Sequence, residues 1–119
     1  MNVLNQVITD KYSLYHGDSA EVIKGIPDNS IGCIMYSPPF SQLYVYNASD
    51  RDMGNSSSDK QFYQHFGDYL VPELYRVLMP GRLMIVHCMD IPLMKERDGI
   101  IGIKDFSGDL IRLFEKHGF

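Results

Sequence analysis

The chain is short of several things at once. Among its 119 residues only Cys33 and Cys88 are cysteines, and each sits inside an apolar run. Two such thiols read as buried, unbridged side chains of a reducing, cytoplasmic compartment rather than as a disulfide framework. Together with four scattered histidines they fall short of the ligand number and spacing of a zinc site, so no metal is expected. No apolar stretch approaches the roughly 18 residues of a membrane span, and Met1 to Asp10 lacks the basic start of a signal peptide. Basic residues are outnumbered, 11 against 15 acidic, for a net charge of −4. Taken alone, that balance argues against nucleic-acid binding, because phosphate contacts need Lys and Arg. No internal repeat is present. What the chain does have is 45% hydrophobic residues, which fits a globular domain and argues against disorder. Its length allows one domain, residues 1–119, burying roughly two-thirds of its unfolded surface.

Local signals order the chain. Tyr12 to Tyr15 reads as a short strand ending at His16-Gly17-Asp18. Asp18 and Glu21 have the spacing of a capping box, which starts a helix over Ser19 to Lys24 that stops at Gly25. The Pro-Asp-Asn chemistry of Ile26 to Ser30 is that of a turn. Ile31 to Tyr36 is short and continuously apolar, as a strand buried on both faces should be. Residues 41–60 turn to Tyr, Asn, Ser and Asp and read as a flexible loop. Phe62, Phe66, Tyr69, Leu70, Leu74 and Val77 then recur at helical spacing, which reads as core packing. Pro72 should kink or split that helix. Met79-Pro80-Gly81 is a turn, Leu83 to Cys88 a second buried strand, and Ser107 the cap of a last helix over Asp109 to Lys116. Alternating strands and helices predict an α/β fold with a mostly parallel sheet. In such sheets ligands bind beyond the carboxyl ends of the strands. His16-Gly17-Asp18, Ser37-Pro38-Pro39-Phe40 and His87-Cys88-Met89-Asp90 would then share one edge.

The stretch IGCIMYSPPF, Ile31 to Phe40, ends an apolar run in Ser37, two prolines and a ring. Proline fixes φ and lacks an N–H, so two in succession make a stiff corner that cannot extend the ladder. The Ser37 hydroxyl and the Pro38 carbonyl are two hydrogen-bond acceptors on that corner. An amino group on an aromatic base is a poor nucleophile, because its lone pair is delocalised into the ring. Acceptors fixed in advance on both of its N–H bonds would draw the nitrogen toward tetrahedral geometry. Phe40 adds a face on which a base could stack, worth about 1–3 kcal/mol. A base in a duplex would have to flip out to reach it.

SPPF after an apolar strand resembles the catalytic motif of DNA amino-methyltransferases, whose form is Asp, Asn or Ser, then Pro-Pro, then Tyr or Phe. HGDSAEVIKGIPDNSIGCIMYSPPF is similar to the opening of the permuted class, in which the catalytic half precedes the cofactor half. YLVPELYRVLMPGRLMIVHC and DFSGDLIRLFEKHGF resemble the elements that follow there, so the likeness runs from about His16 to Phe119. It implies a site-specific, restriction-modification type enzyme of phage or bacterial kind. Such an enzyme passes a methyl group from S-adenosylmethionine to the exocyclic amino group of cytosine or adenine in DNA, and Ser at the first motif position leans toward cytosine. The transfer would be a direct displacement without a covalent enzyme intermediate. Carried over by position, Ser37, Pro38, Pro39 and Phe40 form the catalytic motif, and Asp18 with Gly17 lies against the cofactor. Tyr44 and Tyr46 are candidates for contact with DNA or the flipped base. His87 and Cys88 read as packing and Asp90 as opening the turn before Pro92. No catalytic histidine is assigned, since the methyl group of a sulfonium is already activated.

The sequence also departs from that family. The Asp-Pro-Phe-x-Gly-x-Gly cofactor loop has no counterpart in these 119 residues. The resemblance therefore implies the N-terminal catalytic half only, with an incomplete Rossmann-like, three-layer αβα fold. Such a half would have weak cofactor and DNA binding, no activity alone, and sheet edges left open. Three outcomes fit open edges: a rearranged sheet, pairing with a second copy or second polypeptide, or marginal stability. A competing expectation is an inactive remnant that serves as a binding or assembly module. A methyltransferase acting on RNA or protein is a third.

Overall fold

A computed structural model describes residues 2–39 and 59–119 of the protein. Its organising element is a parallel pair, Ile31–Tyr36 (β3) with Leu78–Val86 (β4), in the register Cys33↔Leu83, Ile34↔Met84, Met35↔Ile85, Tyr36↔Val86. The expected Met79-Pro80-Gly81 turn exists, but inside β4. Ile31 pairs with Leu78 and Cys33 with Leu83, so Met79 to Arg82 loop out opposite the single residue Gly32. Gly81 takes φ +74° there, a conformation that favours glycine.

Side chains alternate along both strands. Ile31, Ile34 and Tyr36 of β3 and Met84 and Val86 of β4 pack inward, with Cys88 beyond them. Cys33 is exposed, Met35 and Leu83 are each 72% exposed, and Ile85 is 45% exposed. Burial on both faces, and with it a buried Cys33, is therefore corrected: helices cover one face of this pair. The three-layer arrangement expected from the resemblance is two-layered here, among the described residues.

The covering layer comes from the long apolar stripe. It folds as Asp59–His65 (α2), a π-helical segment Phe66–Leu70, and Val71–Val77 (α3), with Pro72 in the first turn of α3. Proline has no N–H to give to the preceding turn. The chain widens instead, and the Val71 N–H donates to the Phe66 carbonyl five residues back. That extra residue shifts the stripe. Phe62, Phe66 and Val71 are fully buried, whereas Tyr69, expected in the core, is 59% exposed. Phe62 and Phe66 stack at 5.7 Å, and Phe106 and Phe114 of the last helix close round them.

A short helix Ser19–Val22 (α1) and a 3-10 turn Ile23–Gly25 run under α3. Asp18 caps α1 by accepting from the Ala20 N–H at 3.0 Å. Arg76 of α3 ties this segment down: its guanidinium donates to the Ile23 and Ile26 carbonyls and pairs with Asp28 and Glu73. The strand expected at Tyr12 to Tyr15 is Ser13–His16 (β2), and it pairs antiparallel with Asn5–Ile8 (β1). A second hairpin joins Ile91–Leu93 (β5) to Gly102–Lys104 (β6) around a turn of helix, Lys95–Asp98 (α4). Among the described residues there are thus three two-stranded sheets, only one of them parallel. The α/β class stands, and the mostly parallel sheet does not. Strand–helix order forecast parallel neighbours, but β2 found its partner in β1 instead.

The last helix, Phe106–Lys116 (α5), is capped by Asp105, which accepts from the Gly108 N–H at 3.0 Å. Ser107, expected as the cap, lies inside the first turn. Its N–H and hydroxyl both donate to Asp90 Oδ1, at 3.0 and 2.7 Å. Asp90 is therefore the clamp between the end of β4 and α5, beyond the turn-opening role expected of it. The Ser107 hydroxyl and N–H hold its carboxyl below the usual carboxylate range.

This packing sets the cost of substitutions on its two sides. Phe66→Ala should cost about 3–5 kcal/mol in urea unfolding of the chain, while Met35→Ala on the open face should stay within about 0.5 kcal/mol. A large cost at Met35 would show that the face is covered. Because the Asp90 carboxyl is lowered on folding, its contribution is present at neutral pH and is lost as pH falls below about 4. Asp90→Asn should therefore lower the urea midpoint at pH 7, and the gap to wild type should close in acid.

Candidate functional site

The site is built where β3 and β4 end together. The His87 N–H donates to the Tyr36 carbonyl at 3.0 Å, which is the last rung of the parallel ladder. The residue after β3 is Ser37, and its hydroxyl donates to the His87 carbonyl at 2.7 Å while standing 3.0 Å from His87 Nδ1. Fifty residues of sequence separation are bridged by these two contacts. Pro38 is buried and Pro39 half-buried, so the corner after Ser37 is set into the body of the protein rather than hung from it. Ser37 and His87 are exposed. The chain therefore presents a held hydroxyl to the outside on a proline-stiffened turn.

Under this corner the groups are less at ease. Tyr36 packs against both core clusters and its ring lies 6.3 Å from Phe66. Its hydroxyl is buried with no hydrogen-bond partner among the described residues. Burial raises the Tyr36 hydroxyl well above its ordinary value, with the neighbouring Cys88 adding to the effect. Burial likewise pushes the Cys88 thiol up, and the charge of Asp90 assists. Neither group supplies an ionised nucleophile at neutral pH.

Of the residues expected to form one edge, the structure joins Ser37 to His87 through hydrogen bonds, while His16 ends β2 in a separate two-stranded sheet and Gly17 and Asp18 follow it into α1. Gly17 is tightly enclosed: a Cβ there would stand 3.1 Å from Val22 Cγ2 and 3.2 Å from the Asn2 carbonyl. Phe40, Tyr44 and Tyr46 lie outside the described residues. His87, placed on the shared edge by sequence but read as packing, is exposed and holds the Ser37 hydroxyl, which the sequence reading did not foresee. The signal was available in LMIVHC. Met84, Val86 and Cys88 alternate inward, which puts His87 on the opposite parity, the same one as Ser37 beside it. A cleft lined by Asn29, Tyr75, Leu78, Arg82 and Phe119 lies at the other end of the β3–β4 pair, away from the corner.

No family model matches the chain. It is 32% identical over 79 residues to the Type II methyltransferase M.BamHI of Bacillus amyloliquefaciens, covering 66% of this chain and 18% of that protein. It is 29% identical over 119 aligned positions to the Type II beta methyltransferase M.BslI of Bacillus sp. (strain NEB-606), covering 92% of this chain and 12% of that protein. The chain thus spans less than a fifth of the length of the curated relatives it matches. Two crystal structures of a Thermus thermophilus protein described as a DNA modification methylase superpose with TM-scores of 0.64. One of them is complexed with S-adenosyl-L-methionine. Identities are 20% and 23%, and each match covers 87% of this chain and 39% of that one, which establishes the shared fold. By sequence, then, this chain is a homologue of the Type II DNA methyltransferases over a minor part of their length.

Proposed function

We propose that these 119 residues are the base-binding, catalytic part of a DNA amino-methyltransferase that uses S-adenosylmethionine and acts on the exocyclic nitrogen of cytosine or adenine. The observation that carries this reading is the Ser37-Pro38-Pro39 corner, whose hydroxyl is held against the end of the neighbouring parallel strand. S-adenosylmethionine would supply a methyl group already activated as a sulfonium. What this chain supplies is position: Ser37 Oγ and the Pro38 carbonyl accept the two amino N–H bonds and so keep the nitrogen lone pair out of the ring. Phe40 would stack on the flipped base, and Tyr44 and Tyr46 would contact DNA.

The cofactor side fits these residues less well. Asp18 is engaged as a helix cap, and Gly17 is half-buried with little room beside its backbone. No glycine-rich Asp-Pro-Phe-x-Gly-x-Gly loop occurs in the sequence. On this reading the cofactor loop is contributed by a further segment or a second polypeptide, and the 119 residues alone bind S-adenosylmethionine and DNA weakly and do not turn over. The open face of Cys33, Met35, Leu83 and Ile85 favours a second reading, a non-enzymatic assembly module.

Transfer of tritium from labelled S-adenosylmethionine to DNA separates the two. With the cofactor half of a relative supplied in trans, wild type should methylate DNA, and Ser37→Ala should lower kcat by about 10²–10³-fold. Equal rates would remove Ser37 from the chemistry, and no transfer by the completed wild type would favour the assembly module.

A further inference from the structure

We propose that His87 is a positioning residue that fixes the direction of the Ser37 hydroxyl, so that Ser37 meets an incoming group only as a hydrogen-bond acceptor. The inference rests on the amino-methyltransferase reading for its purpose, but its geometry stands apart from that reading. The Ser37 hydroxyl has one hydrogen and two lone pairs. It lies 2.7 Å from the His87 carbonyl oxygen, which can only accept, so the hydrogen of that contact comes from Ser37. The same oxygen lies 3.0 Å from His87 Nδ1. With the hydroxyl hydrogen already committed, that second contact is favourable only if Nδ1 carries a proton and donates it. One residue thus grips the hydroxyl twice, by its carbonyl and by its ring.

The consequence is directional. Ser37 Oγ gives its hydrogen to one side of His87, takes a hydrogen from the other, and keeps one lone pair. Ser37 is exposed, so that lone pair can be reached. A group bearing an N–H is welcomed there, and a group presenting a lone pair is repelled. Without the ring, the hydroxyl would rotate among staggered wells and would have to reorganise when the substrate arrived. The neutral ring would then be the Nδ1–H tautomer, with Nε2 bare and without a partner among the described residues.

Long-range proton–nitrogen correlation spectra of the chain test this without any methyl transfer. At a pH where His87 is neutral, Nδ1 should carry the proton in wild type, and Ser37→Ala should shift the ring toward the Nε2–H form. A wild-type His87 protonated on Nε2, or a tautomer indifferent to Ser37→Ala, would overturn the proposal. In the completed enzyme, His87→Ala should lower kcat about tenfold with KM for S-adenosylmethionine unchanged, equivalent to ~1.4 kcal/mol. His87→Asn, whose side-chain amide can place a donor near the Nδ1 position, should restore most of it. Failure of Asn to rescue would overturn the positioning role. If the completed wild type transfers no methyl group, the functional reading fails while the tautomer still decides this inference.

Discussion

The parallel pairing of β3 with β4 is the interaction on which the rest depends. It joins segments about fifty residues apart, and closing so long a loop costs entropy that no local contact returns. Burial returns it. Ile34, Tyr36, Met84 and Val86 seat the pair on Phe62, Phe66, Leu74 and Val77 of the helical layer. The register is fixed by that face, because a slip of one residue would turn every inward side chain outward. Ser37 meets His87 only because this register holds to its last rung at Tyr36.

The same pairing explains what is left open. A two-stranded parallel sheet covered on one side exposes the alternate residues of both strands, and parallel sheets ordinarily have both faces covered. Met35, Leu83 and Ile85 are the visible result.

Much of this was legible in the residues. The strand Ile31–Tyr36 falls where a short apolar run predicts it, and Pro72 breaks the long helix as its missing N–H requires. Asp18 caps a helix that reaches Gly25 through a 3-10 turn. Other features were hidden for physical reasons. An apolar strand reads the same whether one face or two are buried, so the open side carried no signal. The π-turn exchanged Tyr69 for Val71 in the core, which a strict helical period cannot foresee. Asp105 is the cap in place of Ser107, whose N–H and hydroxyl go instead to Asp90, a contact made by the fold and not readable from the helix start alone. The antiparallel partner of β2 lay in ten residues with no strong alternation. At the site, the SPPF corner was visible and its partner was not: His87 joins Ser37 by register, a property of two strands that neither shows alone.

The most direct measurement of the central claim is amide hydrogen exchange at His87 in the chain. This N–H, donating to the Tyr36 carbonyl, should be protected to the same degree as the inner amides of the β3–β4 ladder. Exchange at the rate of an unfolded peptide, with the ladder otherwise protected, would mean that the strands part before the corner and that Ser37 and His87 are not held together.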